Sequence, residues 1–231
     1  MRFLRQHIEV MNVMGVKQRQ RRLPRSPEEK GQMDTIANDF TINIATANGT
    51  GSQSANLILL QSLFDMGVPV SGKNLFPSNI SGLPTWYIVR LSDRGYQAPG
   101  DRTHIQILVN KATWEEDLAA LEPGSVVVWN MDSKMPVERE DIISYPVPMT
   151  KLARSLNPKL SKLVTNIVYV GVLAELLGIT DEALNKAVAG QFKGKTSAIE
   201  LNINALELGR NYAKENFTKT CLLYTSDAAD D

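Results

Sequence analysis

Apolar residues first gather in FTINIATA (residues 40–47), a β-rich run that predicts a strand. Past a pair of glycines, GSQSANLILLQSLFDMG (51–67) changes to helical spacing, with Leu57, Leu60 and Phe64 on one stripe and Gly67 suited to the helix end. VPVSG is short and extended, and KNLFPSNISGLPT after it has no period and predicts a long loop. WYIVRLSD (86–93) and HIQILVN (104–110) read as strands. TWEEDLAALEPG reads as a helix with Thr113 as N-cap, its early acids Glu115, Glu116 and Asp117 complementing the helix dipole. SVVVWN (125–130) has the composition of a buried strand, and DIISYPVPM continues the sheet. Three helices follow, at 160–178, 180–192 and 197–217. The first is apolar on most sides, as core or interface demands. The second is capped by Thr180 with Asp181 and Glu182 behind it. Strands and helices that alternate with short connections predict an α/β fold: a three-layer αβα sandwich with a mixed, largely parallel sheet, followed by C-terminal helices.

Composition narrows the class. With 43% hydrophobic and 22% charged residues over 231 positions, the chain reads as a soluble globular domain with a packed core. Lys plus Arg and Asp plus Glu balance at 25 each, which argues against a protein that tracks nucleic-acid phosphates. The one cysteine, Cys221, excludes a disulfide framework or a Cys-ligated cluster held by this chain alone, and the two histidines, His7 and His104, make a His-rich metal site unexpected. No apolar run approaches the roughly 20 residues of a membrane span. The start is basic but lacks the apolar core and small-residue cleavage site of a signal peptide, so a cytoplasmic location without membrane contact is expected.

Three zones divide the chain. Residues 1–38 contain the charge run KQRQRRLPRSPEEK and read as a solvated, disordered segment, with a basic arm touching nucleic acid as the alternative and Met33 as a second candidate start of translation. Residues 39–217 carry the fold. The last stretch, TKTCLLYTSDAADD (218–231), resembles the peptide produced when sequencing-adapter DNA is translated at the end of an assembled read. A non-native tail and a natural protein that continues past residue 217 are therefore expected, against a frayed acidic terminus as the alternative.

Candidate chemistry centres on NGTGSQS, in which Gly49, Gly51 and Ser54 follow the predicted first strand. Glycine permits backbone angles that side chains forbid, and the following helix would aim free amides and a positive dipole end at the same space. Asn48, Gly49, Thr50, Gly51 and Ser52 are thus candidates for an anion pocket; the competing reading is a tight corner that binds nothing. A dinucleotide site would want an acid at the end of the next strand, where VPVSGKN offers Lys73, and the Gly-Lys-Ser/Thr of a Walker loop is absent. SGKNLFPSNISGLPTWY (71–87) is the second candidate, a lid loop with Lys73, Asn74, Asn79 and Trp86; alternatively Phe76 and Trp86 plug the core edge or a subunit contact. His104 reads as structural rather than catalytic. Ser52 and Ser54 have no visible His–Asp pair, so no hydrolase triad and no self-sufficient catalytic site is expected.

The run INIATANGTGSQSANLILLQSLFDMGVPVSGKNLFPSNISGLPTWYIVRLSDRGY resembles the γ domain of 2-oxoacid:ferredoxin (acceptor) oxidoreductases, over about residues 40–216. NGTGSQSAN occupies the place of that domain's glycine-rich loop. KNLFPSNISGLPTWYIVRLS sits where most relatives carry a Tyr-Gly-Pro and Arg-Gly-Gly loop, and here resembles the branch in which the γ domain is fused to the N-terminus of the α subunit. The resemblance implies a pyruvate:ferredoxin oxidoreductase γ-domain-like fold. It implies a role in converting a 2-oxoacid and coenzyme A to acyl-CoA, CO2 and reduced ferredoxin, inactive alone, with 2-oxoglutarate favoured over pyruvate by the two-subunit arrangement. It also implies partners: the pyrimidine-binding domain of the α subunit and a β subunit. Thiamine diphosphate, Mg2+ and iron–sulfur clusters would belong to the complete enzyme, none of them held by this fragment, and coenzyme A would meet the glycine turn with Lys73 adding charge. The alternatives are a purely structural assembly domain and a free-standing Rossmann-like nucleotide-binding module.

Overall fold

The computed structural model describes residues 39–76, 80–98, 100 and 102–218. The basic segment 1–38, Asn79 and the tail from residue 219 lie outside the described residues. Six strands form one sheet: β1 (Asp39–Ala47), β2 (Val70–Leu75), β3 (Pro84–Ser92), β4 (Ile105–Leu108), β5 (Val126–Asn130) and β6 (Ile143–Val147), in the order β2-β3-β1-β4-β5-β6. β1, β4, β5 and β6 run parallel, while β3 is antiparallel to both β1 and β2. The helices are α1 (Ser52–Asp65), α2 (Trp114–Ala119), α3 (Met149–Leu156), α4 (Ser161–Leu177), α5 (Asp181–Gln191) and α6 (Thr196–Asn216).

The expected mixed, largely parallel sheet is present, but its two faces are unequally covered. Ile42, Ile44, Val89, Ile105, Ile107, Val126, Val128 and Val147 point to one face and pack against α1 and α3–α6 in the main core. Their strand neighbours point the other way, as the period of two requires. Ala45, Leu108 and Val127 join Trp114 and Leu121 in a smaller cluster, under α2 and the chain near Met135 and Val137. All three tryptophans of the chain belong to this thin layer. Each indole N–H finds an acceptor: Trp86 donates to Asp117 Oδ1 (2.8 Å), Trp114 to the Pro136 carbonyl (3.1 Å) and Trp129 to Ser144 Oγ (2.9 Å). Burial pushes the Asp117 carboxyl above its ordinary value, against the indole hydrogen bond that favours the charged form.

Four expectations are corrected. The stretch predicted as a long loop is a β-hairpin: Lys73 and Asn74 lie in β2, opposite Ile88 and Tyr87, and Trp86 lies in β3. Its sequence hid the strand because Gly, Lys and Asn are poor strand formers and β2 is an exposed edge with no core face to impose alternation. Gly72 is needed there because a Cβ would strike the Tyr87 ring. On α1 the expected stripe is divided, Leu57 and Phe64 (65% exposed) pointing outward and Leu60 packing half-buried against the core, whereas Ala55, Ile58, Leu59, Ser62 and Leu63 face the core. A helix apolar on both sides gives periodicity no way to choose. The helix expected at 113–124 closes by Ala119, and Thr113 flanks it without a side-chain cap bond. Finally, α3 begins at Met149, the last residue of the run expected to continue the sheet, and extends through a stretch assigned no element, held by Met149 and Ala153 at helical spacing in the core. Gly67 does end α1, with φ +78°, and Thr180 Oγ1 does cap α5, accepting from Ala183 N (3.3 Å).

α4 is the spine of the helical layer, buried from Val164 to Leu177 at nearly every position. It crosses α6 at two glycines. A Cβ on Gly171 would run into the Leu206 carbonyl, and a Cβ on Gly209 into the Val168 carbonyl, so the two backbones touch. Gly171→Ala should therefore destabilise the fold by about 2 kcal/mol or more, although alanine is the better helix former by about 1 kcal/mol. Denaturant unfolding measures this, and a raised midpoint would show that the helices can separate freely.

His104 lies just before β4, at the opposite end of the sheet from Gly49. Its Nδ1 accepts the Thr41 N–H (3.2 Å), a structural role as expected. Burial, then the Arg102 and Arg90 guanidiniums, hold its pKa below the ordinary value. The unfolded chain thus takes up a proton at that position before the folded one does. Stability from this group is complete above about pH 6.5 and falls as pH drops below it, down to the folded-state value. Unfolding midpoints between pH 7.5 and 5 should decline in the native chain and flatten in His104→Asn, whose side-chain oxygen can still accept from Thr41.

Candidate functional site

Between β1 and α1 the backbone must reverse into a helix within four residues, and two glycines with left-handed angles do this: Gly49 at φ +79° and Gly51 at φ +80°. Both are also pressed from outside. A Cβ on Gly49 would lie 2.6 Å from Ser81 Oγ, and one on Gly51 3.3 Å from the Leu163 carbonyl of α4. Asn48 pins the turn to the hairpin end: its N–H donates to Leu83 O (2.8 Å), its carbonyl accepts from Gly82 N (2.9 Å) and its Nδ2 reaches Ile80 O (3.3 Å). Thr50 Oγ1 donates to Ala47 O (2.7 Å). From the other side, Asn166 of α4, 1% exposed, donates through Nδ2 to the Thr50 carbonyl (2.7 Å) and reaches its hydroxyl (3.2 Å).

The five predicted turn residues are thus contiguous and rigidly held, but they face two chemistries. Gly51 and Ser54 border a mostly apolar pocket of about 210 Å³ with Leu160, Leu163, Phe192 and Leu201. Thr50 and Ala47 instead form one wall of a cleft of about 580 Å³. Of the predicted lid residues, Lys73 and Asn74 stand on the exposed edge strand, and Trp86 is tied to Asp117 in the thin layer. Trp86 does not converge with the turn on one pocket.

That second cleft lies where the parallel strands β1, β4 and β5 end, and sequence reasoning missed it. Its floor is polar: Asn110 donates to Thr46 O (3.0 Å), Asn130 donates to Thr150 Oγ1 (2.9 Å), and Thr165 donates to Ser161 O (2.7 Å). Its rim carries Lys111, Arg154, Lys159 and Lys162, and among the described residues no Asp or Glu lines it. The available signal was positional. Ligands of open α/β sheets collect at the carboxyl ends of parallel strands, and Asn110, Lys111 and Asn130 sit at those ends. Among the described residues no group of three or more His, Cys, Asp or Glu is placed to hold a metal, and no single helix is long and apolar enough to cross a membrane.

The family model "Pyruvate ferredoxin/flavodoxin oxidoreductase" matches residues 41–212. Ketoisovalerate oxidoreductase subunit VorA of Methanothermobacter marburgensis is 22% identical over 181 residues, 77% of this chain and 37% of its own length. The chain thus spans little more than a third of that relative. Among solved structures, the 2-oxoglutarate:ferredoxin oxidoreductase from Magnetococcus marinus, with 2-oxoglutarate, coenzyme A and succinyl-CoA bound, is 26% identical with a TM-score of 0.73, covering 81% of this chain and 33% of that one. The keto/oxoacid ferredoxin oxidoreductase γ subunit from Geobacter sulfurreducens is 21% identical with a TM-score of 0.62, and 99% of it is covered by 76% of this chain.

The tie between the turn and α4 is directly measurable. Asn166→Ala strands the Thr50 carbonyl and should lower unfolding stability by about 1–3 kcal/mol, whereas Thr50→Val keeps that carbonyl bond and should lose about 1 kcal/mol or less. Equal losses in the two variants would mean that the hydroxyl, not the carbonyl, carries the link.

Proposed function

Since the chain belongs to the pyruvate ferredoxin/flavodoxin oxidoreductase family, we propose that it is the γ-domain portion of a 2-oxoacid:ferredoxin oxidoreductase α subunit. In that role it takes part in the oxidative decarboxylation of a 2-oxoacid with coenzyme A to acyl-CoA, CO2 and reduced ferredoxin. The observation that carries the reading is the agreement of one whole body, sheet and C-terminal helices together, with a separately encoded γ subunit and with one third of a longer oxidoreductase chain. A body that recurs both alone and fused is a unit with its own core.

On this reading the domain makes no bond itself. Decarboxylation and electron removal fall to thiamine diphosphate, Mg2+ and iron–sulfur clusters held by the rest of the α subunit and a β subunit, and ferredoxin accepts the electrons. This domain contributes subunit contacts and a seat for coenzyme A. The contacts are supported by the outward stripe of α1, where Leu57 and Phe64 are exposed, and by Leu163 beside the turn at 50% exposure. The coenzyme A seat is supported by the turn Asn48–Ser52, which is preorganised by bonds from two elements before any ligand arrives. The residues present fit such a ligand, because phosphates would meet cations in the cleft at this end of the sheet, where among the described residues no Asp or Glu lines it.

Calorimetric titration of the full chain with coenzyme A tests the reading. Saturable binding is expected, and adenosine, which has the base and ribose but no phosphate, should not reproduce it. Absence of binding at millimolar coenzyme A would leave the chain with subunit contacts alone.

A further inference from the structure

We infer that the cleft at the carboxyl edge of the sheet, rather than the glycine turn beside it, is the polyanion seat of this domain, and that Lys111, Arg154, Lys159 and Lys162 are its binding residues. For the identity of the ligand as coenzyme A, a phosphate-bearing nucleotide, the inference rests on the reading above; for the seat itself it rests on the cleft.

Three independent features converge there. The first is charge. The chain has no net charge, yet this lining brings four cations together with no carboxylate among the described residues. Elsewhere Arg90, Arg102, Arg139, Lys186 and Arg210 are ion-paired with Asp39, Glu122, Asp141, Asp65 and Asp181, and cations without an ion pair among the described residues, such as Lys73, Arg94 and Lys134, line no common cleft with these four. Among the described residues none of the four cleft cations has such a pair. Mutual repulsion of like charges in a concave site is relieved by an anion that enters it, and a cleft with low-dielectric walls concentrates the field.

The second feature is the backbone. α4 is a 17-residue helix whose first turn carries Ser161 and Lys162 into the cleft; the neutral Asn157 Oδ1 accepts the Lys159 and Leu160 N–H groups just before it (both 3.1 Å), and no acidic residue stands in that first turn. Its dipole adds to the field of the lysines instead of being neutralised locally. Asp132, which follows Asn130, does not line the cleft; its Oδ2 accepts the Lys151 N–H of α3 (2.8 Å).

The third feature is the state of the floor. Asn110, Asn130, Thr165 and Asn166 are all buried, and their side chains are already committed to protein acceptors. The floor is fixed in shape, and the free valence of the site belongs to the rim cations. The glycine turn shows the opposite pattern. Thr50 Oγ1 is engaged by Ala47 and Asn166, Gly49 abuts Ser81, and Gly51 abuts Leu163. The turn is a wall of the seat, held still by Asn166, and its glycines answer first to packing.

The experiment titrates the full chain with coenzyme A and, separately, with inorganic tripolyphosphate at 0.15 M salt. It uses the native sequence, the double variant Lys159→Glu with Lys162→Glu, the variant Lys111→Ala, and Lys193→Glu as a control at an exposed position outside the cleft. All four positions are exposed, so the variants keep the fold. Coenzyme A and tripolyphosphate should both bind the native chain. The double variant should weaken both by about tenfold or more, and Lys111→Ala by about fivefold, given what a solvated charge contributes at contact distance. The control should bind as the native chain does. Coenzyme A binding undiminished in the double variant would overturn the seat while leaving the coenzyme A reading intact. Tripolyphosphate binding that the double variant loses, with no coenzyme A binding, would keep the seat and remove coenzyme A as its ligand. Binding of neither probe would overturn both.

Discussion

The position of α4 is the constraint on which the carboxyl edge of the sheet depends. A helix with almost no polar face must be enclosed on all sides, and the sheet, α1, α3, α5 and α6 enclose it. Enclosure on the α6 side is possible only because Gly171 and Gly209 let two backbones meet. With the helix so fixed, its N-terminal turns cannot drift, and Leu163, Asn166 and Thr165 stand at set places beside β1. Asn166 passes that rigidity to the turn through the Thr50 carbonyl. One turn further on, Tyr169 donates to Asn56 Oδ1 of α1 (2.6 Å) and repeats the connection within the core. Burial drives the Tyr169 hydroxyl far above its ordinary pKa, so it stays a neutral donor at any working pH.

This explains why a glycine-rich corner after a first strand is ambiguous in sequence. Left-handed glycines are demanded both by a loop that approaches a phosphate and by a loop that approaches another helix. Here the second demand is visible, since Leu163 and Ser81 sit where side chains would be. The two demands are compatible. A corner fixed by packing is a better wall for a ligand than one free to move, because less ordering remains to be done on binding.

The regular elements of the central sheet and the long helices were legible because burial imposes a period on them. β1, β4 and β5 are buried on both faces and read as near-continuous apolar runs, and α5 announces itself with a threonine cap and two acids. Illegibility came from three causes. Edge strand β2 has no buried face to write alternation into Val70–Leu75, so Lys73 and Asn74 looked like loop residues. α1 is apolar on both sides, so Leu57 and Phe64 were indistinguishable from Ile58 and Leu63 until a core was present. The cleft cations come from separate connections, after β4, on α3 and around the start of α4, and only the fold brings them together. Had the strand ends been treated as one edge in space, Asn110, Lys111 and Asn130 would have stood out as neighbours.

Overall charge balance is a statement about the far field and carries little about any one surface. In this chain acids and bases cancel by number, 25 against 25, while several carboxylates are engaged locally. Asp39, Asp141 and Asp181 each hold an arginine, Asp117 holds an indole, and Asp132 holds a helix amide. What the acids leave uncovered is therefore set by geometry. Four of the uncovered cations meet at one cleft instead of spreading as a stripe along a helix or a strand. A stripe suits a polymer whose phosphates repeat at fixed spacing, whereas a cleft of about 580 Å³ suits a small ligand with its phosphates at one end. The same arrangement places the apolar pocket of Leu160, Leu163 and Leu201 on the other side of Gly51. A ligand with a charged head and an uncharged arm would thus meet, across one rigid corner, a surface of each kind.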